Sequence, residues 1–381
     1  MIIQGKIPQT ESTISIVIEN GKVIQVCPDQ EGSLCEFGEA PLYLCPGFFD
    51  PQVNGFAGVD FNSPRLTPEG LQRAACSLAS TGVTSFFPTL ITSSHERMVH
   101  QLKIMTDALR NDSLLRKMVL GIHLEGPYIS SEEGPRGVHP LEFIRPPQWE
   151  ELERFQEIGE GRIKCITIAP ELEGAIPFIE KAVAHGIVVG IGHTCAPEEV
   201  IEKAVQTGAC FSCHLGNAPS ALLPRYRSII QKQLVMDQLM TCIIADGIHL
   251  PHDVVKNYVL AKGIDRMILT TDCMAAAGAS PGRYTLGDLE VEAEDDGIVR
   301  CVGNSRLAGS TLTMDRAITN VIRFAEIDLS SAIQMAAQNA QKLFREVRGE
   351  IIPGEPADLV LFEYPEELLV RSTWIEGEKI F

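Results

Sequence analysis

The chain has 381 residues, 45% of them hydrophobic and 22% charged, with a formal net charge of −18 at pH 7. That much apolar material over this length excludes a disordered polymer and suits two domains, or one large barrel with an appendage. The acidic balance excludes an extended nucleic-acid surface, which needs clustered Lys and Arg, but leaves room for a small anionic substrate held by a few local donors.

At the start, MIIQGKIPQT lacks a basic segment followed by an apolar stretch, and no window approaches the roughly 18 uninterrupted apolar residues that span a bilayer. A soluble, cytoplasmic protein with no membrane partner is the expectation. The 11 cysteines are odd in number, irregularly spaced and partly inside apolar runs, which fits a reducing compartment. ISIVIENGKVIQV reads as two β-rich runs around Asn20-Gly21, a hairpin signal. ADLVLFE and STWIEGEKIF, with Gly377 in a turn, repeat that character at the other end.

From residue 42 onward come apolar, β-rich runs at 42–49, 84–90, 118–124, 163–169, 187–192, 209–215, 241–245 and 267–271. Helix-compatible segments separate most of them. Thr67-Pro68-Glu69 supplies an N-cap and a first-turn proline, and Pro197-Glu198-Glu199 puts acids at the favourable end of a helix dipole. Strand-then-helix units in this number predict an α/β fold, a (β/α)8 TIM-like barrel with its active site at the strands' C-terminal ends; a doubly wound sheet is the alternative.

The polar residues fall at those ends: Asp50, Glu125 in GIHLEGPY, His193 in GIGHTCA, His214 in FSCHLGN, Asp246 and His249 in IADGIH, and Asp272 in TTDCM. Titratable groups after apolar strands are costly unless they meet at a common polar site. Glu125, His193 and His214 offer one carboxylate and two imidazoles, a set suited to Zn²⁺ or a similar divalent ion with a position open to water. Asp272 is the candidate general base and acid. His249 would polarise a carbonyl or stabilise its oxyanion. A single histidine is more often structural than ligating, and it is their joint placement that favours a site. His95 and His100 are expected to be solvated on a helix face, and His185 to sit at a helix end.

The succession PGFFD, HLEGP, GHT, CHLGNA, IADGIH, TDCM, LAGSTLTM and GEPADLV resembles the N-acetylglucosamine-6-phosphate deacetylases of the amidohydrolase superfamily, over nearly the whole chain. The resemblance implies a barrel over residues 46–346 and a small β-sandwich domain built from 1–45 and 347–381. It implies Glu125, His193 and His214 as metal ligands, Asp272 as the acid/base residue, His249 as a carbonyl-polarising or substrate-binding group, and His139 in GVHP as a sugar contact. The implied reaction is hydrolysis of the N-acetyl group of an amino-sugar 6-phosphate, in a homodimer.

Around the phosphate the family carries an Arg followed by Glu-Pro-Gly, whereas this chain reads NAPSALLPRYRS. Arg225 falls at the corresponding distance after His214, and Arg227 is an added cation. The expectation is that Arg225, with Arg227, binds phosphate across a subunit interface together with Gln52 and the Asn217-Ala218 backbone; a solvated arginine pair is the alternative. Many amidohydrolases end the first barrel strand with D-x-H-x-H, and here DPQVNG puts Gln52 and Asn54 in the places of that pair. One divalent metal per chain is therefore expected, Zn²⁺ first, with Fe²⁺, Co²⁺ or Mn²⁺ compatible. Two other patterns are discounted: CFSCH as a haem site, because Cys210 and Cys213 point to opposite faces of a strand, and GIGHTC as a dinucleotide fingerprint, because its third glycine is Cys195. Another N-acetylhexosamine, with or without phosphate, or a non-catalytic sugar-phosphate-binding barrel stand as the competing readings.

Overall fold

The computed structural model describes residues 1–28, 41–220, 222–346, 348 and 350–381. Of the terminal segments expected to form the small domain, residues 29–40, 347 and 349 lie outside the described residues.

The apolar runs become eight strands of one sheet: β1 (Phe48–Val53), β2 (Val83–Ile91), β3 (Ile122–Glu125), β4 (Ile163–Ile168), β5 (Val188–Ile191), β6 (Phe211–Ser212), β7 (Met240–Ile243) and β8 (Met267–Leu269). They lie in chain order, every neighbouring pair parallel. VTSFFPTLI of β2 is buried along its whole length, as a strand covered on both faces must be, and this is why these runs read as continuous rather than alternating. Helices cover the outside. The one over Pro68–Ala79 starts as its sequence predicts, with Thr67 Oγ1 accepting from the Gly70 amide at 3.1 Å and Pro68 in the first turn.

The first run divides in two. Leu42–Pro46 pairs antiparallel with Leu359–Glu363 in a second sheet, and the barrel begins only at Phe48. Gly47 makes the crossing, at a point where a Cβ would lie 2.0 Å from Thr84 Oγ1 of β2. No side chain fits there.

That second sheet has seven strands drawn from both chain ends. Its N-terminal hairpin turns on Asn20 and Gly21 with φ of +51° and +77°, the paired left-handed geometry that makes Asn-Gly the expected sequence. Lys22 bridges back to Pro356, and the Val23 amide donates to the Glu355 carbonyl at 2.9 Å. The sheet thus folds around a core of its own, with Ile3, Ile16, Ile18, Leu44, Leu359 and Trp374. A third sheet of three antiparallel strands, Gly282–Leu286, Leu289–Ala293 and Val299–Cys301, was not anticipated from sequence. Its inner face packs with Ile91 and Met274 at the C-terminal end of the barrel.

The ring closes between β1 and the segment after β8, where Val53 bridges Cys273 in parallel and the Asn54 amide donates to the Cys273 carbonyl at 2.8 Å. Asp50, fully buried, staples this seam. Its carboxylate accepts from Thr270 Oγ1 at 3.0 Å, the Thr271 amide at 3.2 Å and Thr271 Oγ1 at 2.5 Å. Burial pushes its pKa up to about 6, against the pull of these donors. We expect Asp50→Ala, which strands the two threonine hydroxyls and the Thr271 and Gln52 amides, to cost about 3 kcal/mol. The measurement is the urea midpoint at constant m-value; an unmoved midpoint would mean that the seam holds without the carboxylate.

Candidate active site

The strand-end residues converge. Glu125 ends β3, His193 and His214 follow β5 and β6 by two residues, and Asp272 follows β8 by three. His193 and Asp272 both have φ of +49°, and His214 +23°, a region uncommon for residues with a Cβ and frequent at sites where side chains are re-aimed. Gly192 lets the chain enter this bend: a Cβ there would stand 2.7 Å from Thr167 Cγ2 and 2.8 Å from Cys213 Cβ. Beyond the bend, Glu171 accepts from Thr194 Oγ1 at 2.5 Å and the Cys195 amide at 2.8 Å, pinning the residues next to His193.

Glu125 Oε1 lies 3.0 Å from His193 Nε2 and 2.6 Å from His214 Nε2, and the two nitrogens are 3.1 Å apart. All three side chains are buried. Burial would raise the Glu125 pKa, but the two imidazoles against it win and hold the carboxyl well below its usual range. Three ligand atoms meeting in this way fit a divalent cation. Tetrahedral ligands at bond lengths of about 2.0–2.1 Å stand roughly 3.3 Å apart, so only a slight outward movement separates this triangle from a coordinating one. His193 Nδ1 lies 2.8 Å from the Pro135 carbonyl; donating there, the ring points the Nε2 lone pair at the cluster.

Asp272 is buried and held from one side. Gln52 Nε2 at 2.9 Å and Asn54 Nδ2 at 2.7 Å both donate to its Oδ1. Burial, followed by the negative charge of Glu125, pushes its pKa up to about 7. This changes the expectation for Gln52. The side chain is 2% exposed and lies behind the cavity wall, its amide donating to Asp272 and its Oε1 accepting from Cys213 Sγ at 3.2 Å. It positions the acid where a phosphate contact was expected.

His249 Nδ1 lies 2.6 Å from Asp246 Oδ2, while the other oxygen of Asp246 accepts the Ile248 and His249 amides at 2.8 Å each. Asp246, given no role from sequence, therefore fixes the ring and would balance its charge when both nitrogens carry protons. His139 Nδ1 meets Thr92 Oγ1 at 2.8 Å and packs edge-on against His193, ring centroids 4.5 Å apart. Burial, then the proximity of His193, lowers its pKa to about 3, so it stays neutral.

These groups line one cavity of about 570 Å³, with Asn54, Asn217, Ala218 and Arg306 also in its wall, a size and composition suited to a small polar ligand. Arg225 and Arg227 are exposed and lie off this wall, Arg225 with its guanidinium 5.9 Å from the Tyr226 ring. Arg306 was missed from sequence, since nothing local marks an arginine between a hairpin and LAGS. Away from the site, His95 is not simply solvated: Nδ1 lies 2.8 Å from Glu151 and the ring stacks on Phe155. His185 caps its helix, Nδ1 at 2.8 Å from the Lys181 carbonyl.

Among the described residues no helix is long and apolar enough to cross a membrane. The model of the amidohydrolase family matches residues 43–380. The chain is 35% identical to the N-acetylglucosamine-6-phosphate deacetylase of Bos taurus, over 89% of this chain and 83% of that one. It is 31% identical to the N-acetylgalactosamine-6-phosphate deacetylase of Escherichia coli O157:H7, over 88% and 87%. A mutant N-acetyl-D-glucosamine-6-phosphate deacetylase from Mycobacterium smegmatis, solved in complex with N-acetyl-D-glucosamine-6-phosphate, superposes with a TM-score of 0.90 at 27% identity, covering 100% of this chain and 99% of that one. The chain as a whole matches these relatives in sequence and in fold, and it belongs to the amidohydrolase family, among its N-acetylglucosamine-6-phosphate deacetylases.

Proposed function

We propose that the protein hydrolyses the N-acetyl amide of N-acetylglucosamine 6-phosphate, giving glucosamine 6-phosphate and acetate. The observation that carries this reading is the joint placement, in one cavity, of three convergent donor atoms able to hold a metal ion and a buried carboxylate with one oxygen engaged by two amides. Glu125, His193 and His214 would hold one divalent ion per chain, Zn²⁺ first, with Fe²⁺, Co²⁺ or Mn²⁺ compatible. Bound there, such an ion supplies Lewis acidity toward water and toward the scissile carbonyl. Asp272, its Oδ1 engaged, takes the proton of the attacking water on Oδ2 and returns it to the departing nitrogen. His249, braced by Asp246, donates from Nε2 to the oxygen that gains charge. His139, neutral and held by Thr92, would contact the sugar, and the Asn217-Ala218 backbone, in the same cavity wall, would contact its phosphate. Gln52 and Asn54 stand where a second metal's histidines would be and favour a single ion, since neutral amides are poor ligands for zinc.

The chain also carries exposed Leu222 and Tyr226 on the segment of Arg225 and Arg227. A homodimer would cover them and could bring Arg225 to the partner's substrate. We place the enzyme in the cytoplasm and propose two domains, 1–45 with 347–381 and 46–346, with the boundary moved to Gly47 by the strand Leu42–Pro46.

The test is acetate release from a panel of N-acetylglucosamine 6-phosphate, N-acetylgalactosamine 6-phosphate and the unphosphorylated sugars, with and without chelator. We expect the first to be turned over at the highest kcat/KM and chelator to abolish turnover. Chelator-insensitive hydrolysis would overturn the mechanism, and a preference for the galacto epimer would move the substrate to the specificity named for the E. coli relative.

A further inference from the structure

CFSCH, discounted as a haem site, leaves Cys213 without a use, and the structure buries this residue behind the cavity rather than in its wall. We propose that Cys213 is a positioning residue for the hydrolysis: by donating its thiol proton to Gln52 Oε1, it fixes the Gln52 amide with an N–H on Asp272 Oδ1, so that the proton Asp272 carries stays on Oδ2. This rests on the deacetylase reading given above.

Little of Gln52 is free to move. Its backbone amide donates to Asp50 Oδ1 at 3.3 Å, the Pro51 carbonyl before it lies 3.2 Å from His123 Nδ1, and its side chain is buried. What remains is a half-turn of the terminal carboxamide, which exchanges Nε2 and Oε1 with almost no change of shape. As the chain folds, Nε2 donates to Asp272 Oδ1 at 2.9 Å and Oε1 accepts from Cys213 Sγ at 3.2 Å. Turned over, Oε1 would face Oδ1 and Nε2 would face the sulfur.

An ionised Asp272 resists that turn unaided, because a carboxylate oxygen repels a carbonyl oxygen. Once Asp272 has taken the proton of water the resistance is gone, since a carboxylic acid is itself a donor and an inverted Gln52 would offer it an acceptor at Oδ1. The proton would then rest on the oxygen that does not serve the leaving nitrogen. Asn54 Nδ2, on the same Oδ1 at 2.7 Å, opposes this from one side. The thiol opposes it from the other. Cys213 packs in one apolar cluster with Phe49, Phe87, Cys165, Phe211 and Ile268, surroundings in which a thiol keeps its proton. It is a weak donor, but an inverted amide would leave the buried Oε1 without it and point Nε2 at a still weaker acceptor. The thiol therefore favours the same orientation whether Asp272 is charged or neutral.

The experiment measures kcat, KM and bound metal on N-acetylglucosamine 6-phosphate, together with urea midpoints, for wild type, Cys213→Ala, Cys213→Ser, Gln52→Met and the double variant Gln52→Met/Cys213→Ala. We expect Cys213→Ala to lower kcat about 10-fold, with KM and metal content within about twofold of wild type. Cys213→Ser is no larger than the thiol and differs from alanine by one hydroxyl, so it should stand within about threefold of wild type by restoring a donor. In the Gln52→Met background, where no amide is left to turn, Cys213→Ala should change kcat by less than about twofold. Serine no better than alanine, losses that multiply in the double variant, or a loss confined to KM or to bound metal would overturn the proposal. Wild type without turnover would sink the substrate reading instead. The urea midpoints would then decide whether Cys213 acts on Gln52: non-additive shifts in the double variant would support the link, and additive shifts would refute it.

Discussion

Asp272→Asn protein is expected to fold, to keep its metal and to bind substrate, while kcat falls about 10³-fold, within the range that general acid–base groups contribute. The substitution is isosteric, and the carboxamide oxygen can take the place of Oδ1 under the two amides of Gln52 and Asn54. What changes is the other atom, an NH₂ where Oδ2 stood, which can neither accept the proton of water nor pass one to the leaving nitrogen. The seam should hold, because it is closed by the Asn54 amide on the Cys273 carbonyl and by Asp50, neither of which is touched. Single-turnover and steady-state rates, with elemental analysis and a thermal melt as controls, read this directly. An Asn variant within about tenfold of wild type would remove Asp272 from the proton path.

The second large effect is expected at His214. Its Nε2 is 2.6 Å from Glu125 Oε1 and 3.1 Å from His193 Nε2, so His214→Ala leaves two donors where a divalent ion needs three. Bound metal in dialysed protein should drop from about one equivalent per chain to a trace, and turnover by about 10³-fold or more, since water's nucleophile near neutral pH depends on the ion. Chelator treatment of wild type should reproduce the loss, and added Zn²⁺ should reverse it in wild type but not in the variant. Full metal content in His214→Ala, or two equivalents in wild type, would contradict the assignment.

The barrel strands were legible because burial on both faces leaves an apolar run that local reading detects, and the strand-end acids and histidines were legible because charge after such a run needs a reason. The split of 42–49 was not, since whether Gly47 divides a strand depends on Thr84, distant in sequence. The contacts of Asp50, Gln52 and Asn54 were hidden for a related cause. Sequence marks them as polar groups at a strand end, but their partners, Thr270, Thr271 and Asp272, become neighbours only when β1 meets β8. The three-stranded sheet over 282–301 has no repeat or periodic partner elsewhere, and Arg306 is visible only once that sheet has carried it to the cavity.

The seam has a consequence for how the enzyme comes into being. The residues proposed to hold the metal span 125–214, an inner stretch of the ring, whereas Asp272, the proposed acid, is set by amides 220 and 218 residues away. A growing chain that has emerged just past β6, as far as residue 214, already contains all three proposed metal ligands and still lacks the Asp272 carboxylate. Capture of the ion and competence to cleave an amide are thus separate attainments, the second waiting on the last strand's return to the first. A ring that breathes at that joint would loosen the proton carrier while its metal stays in place.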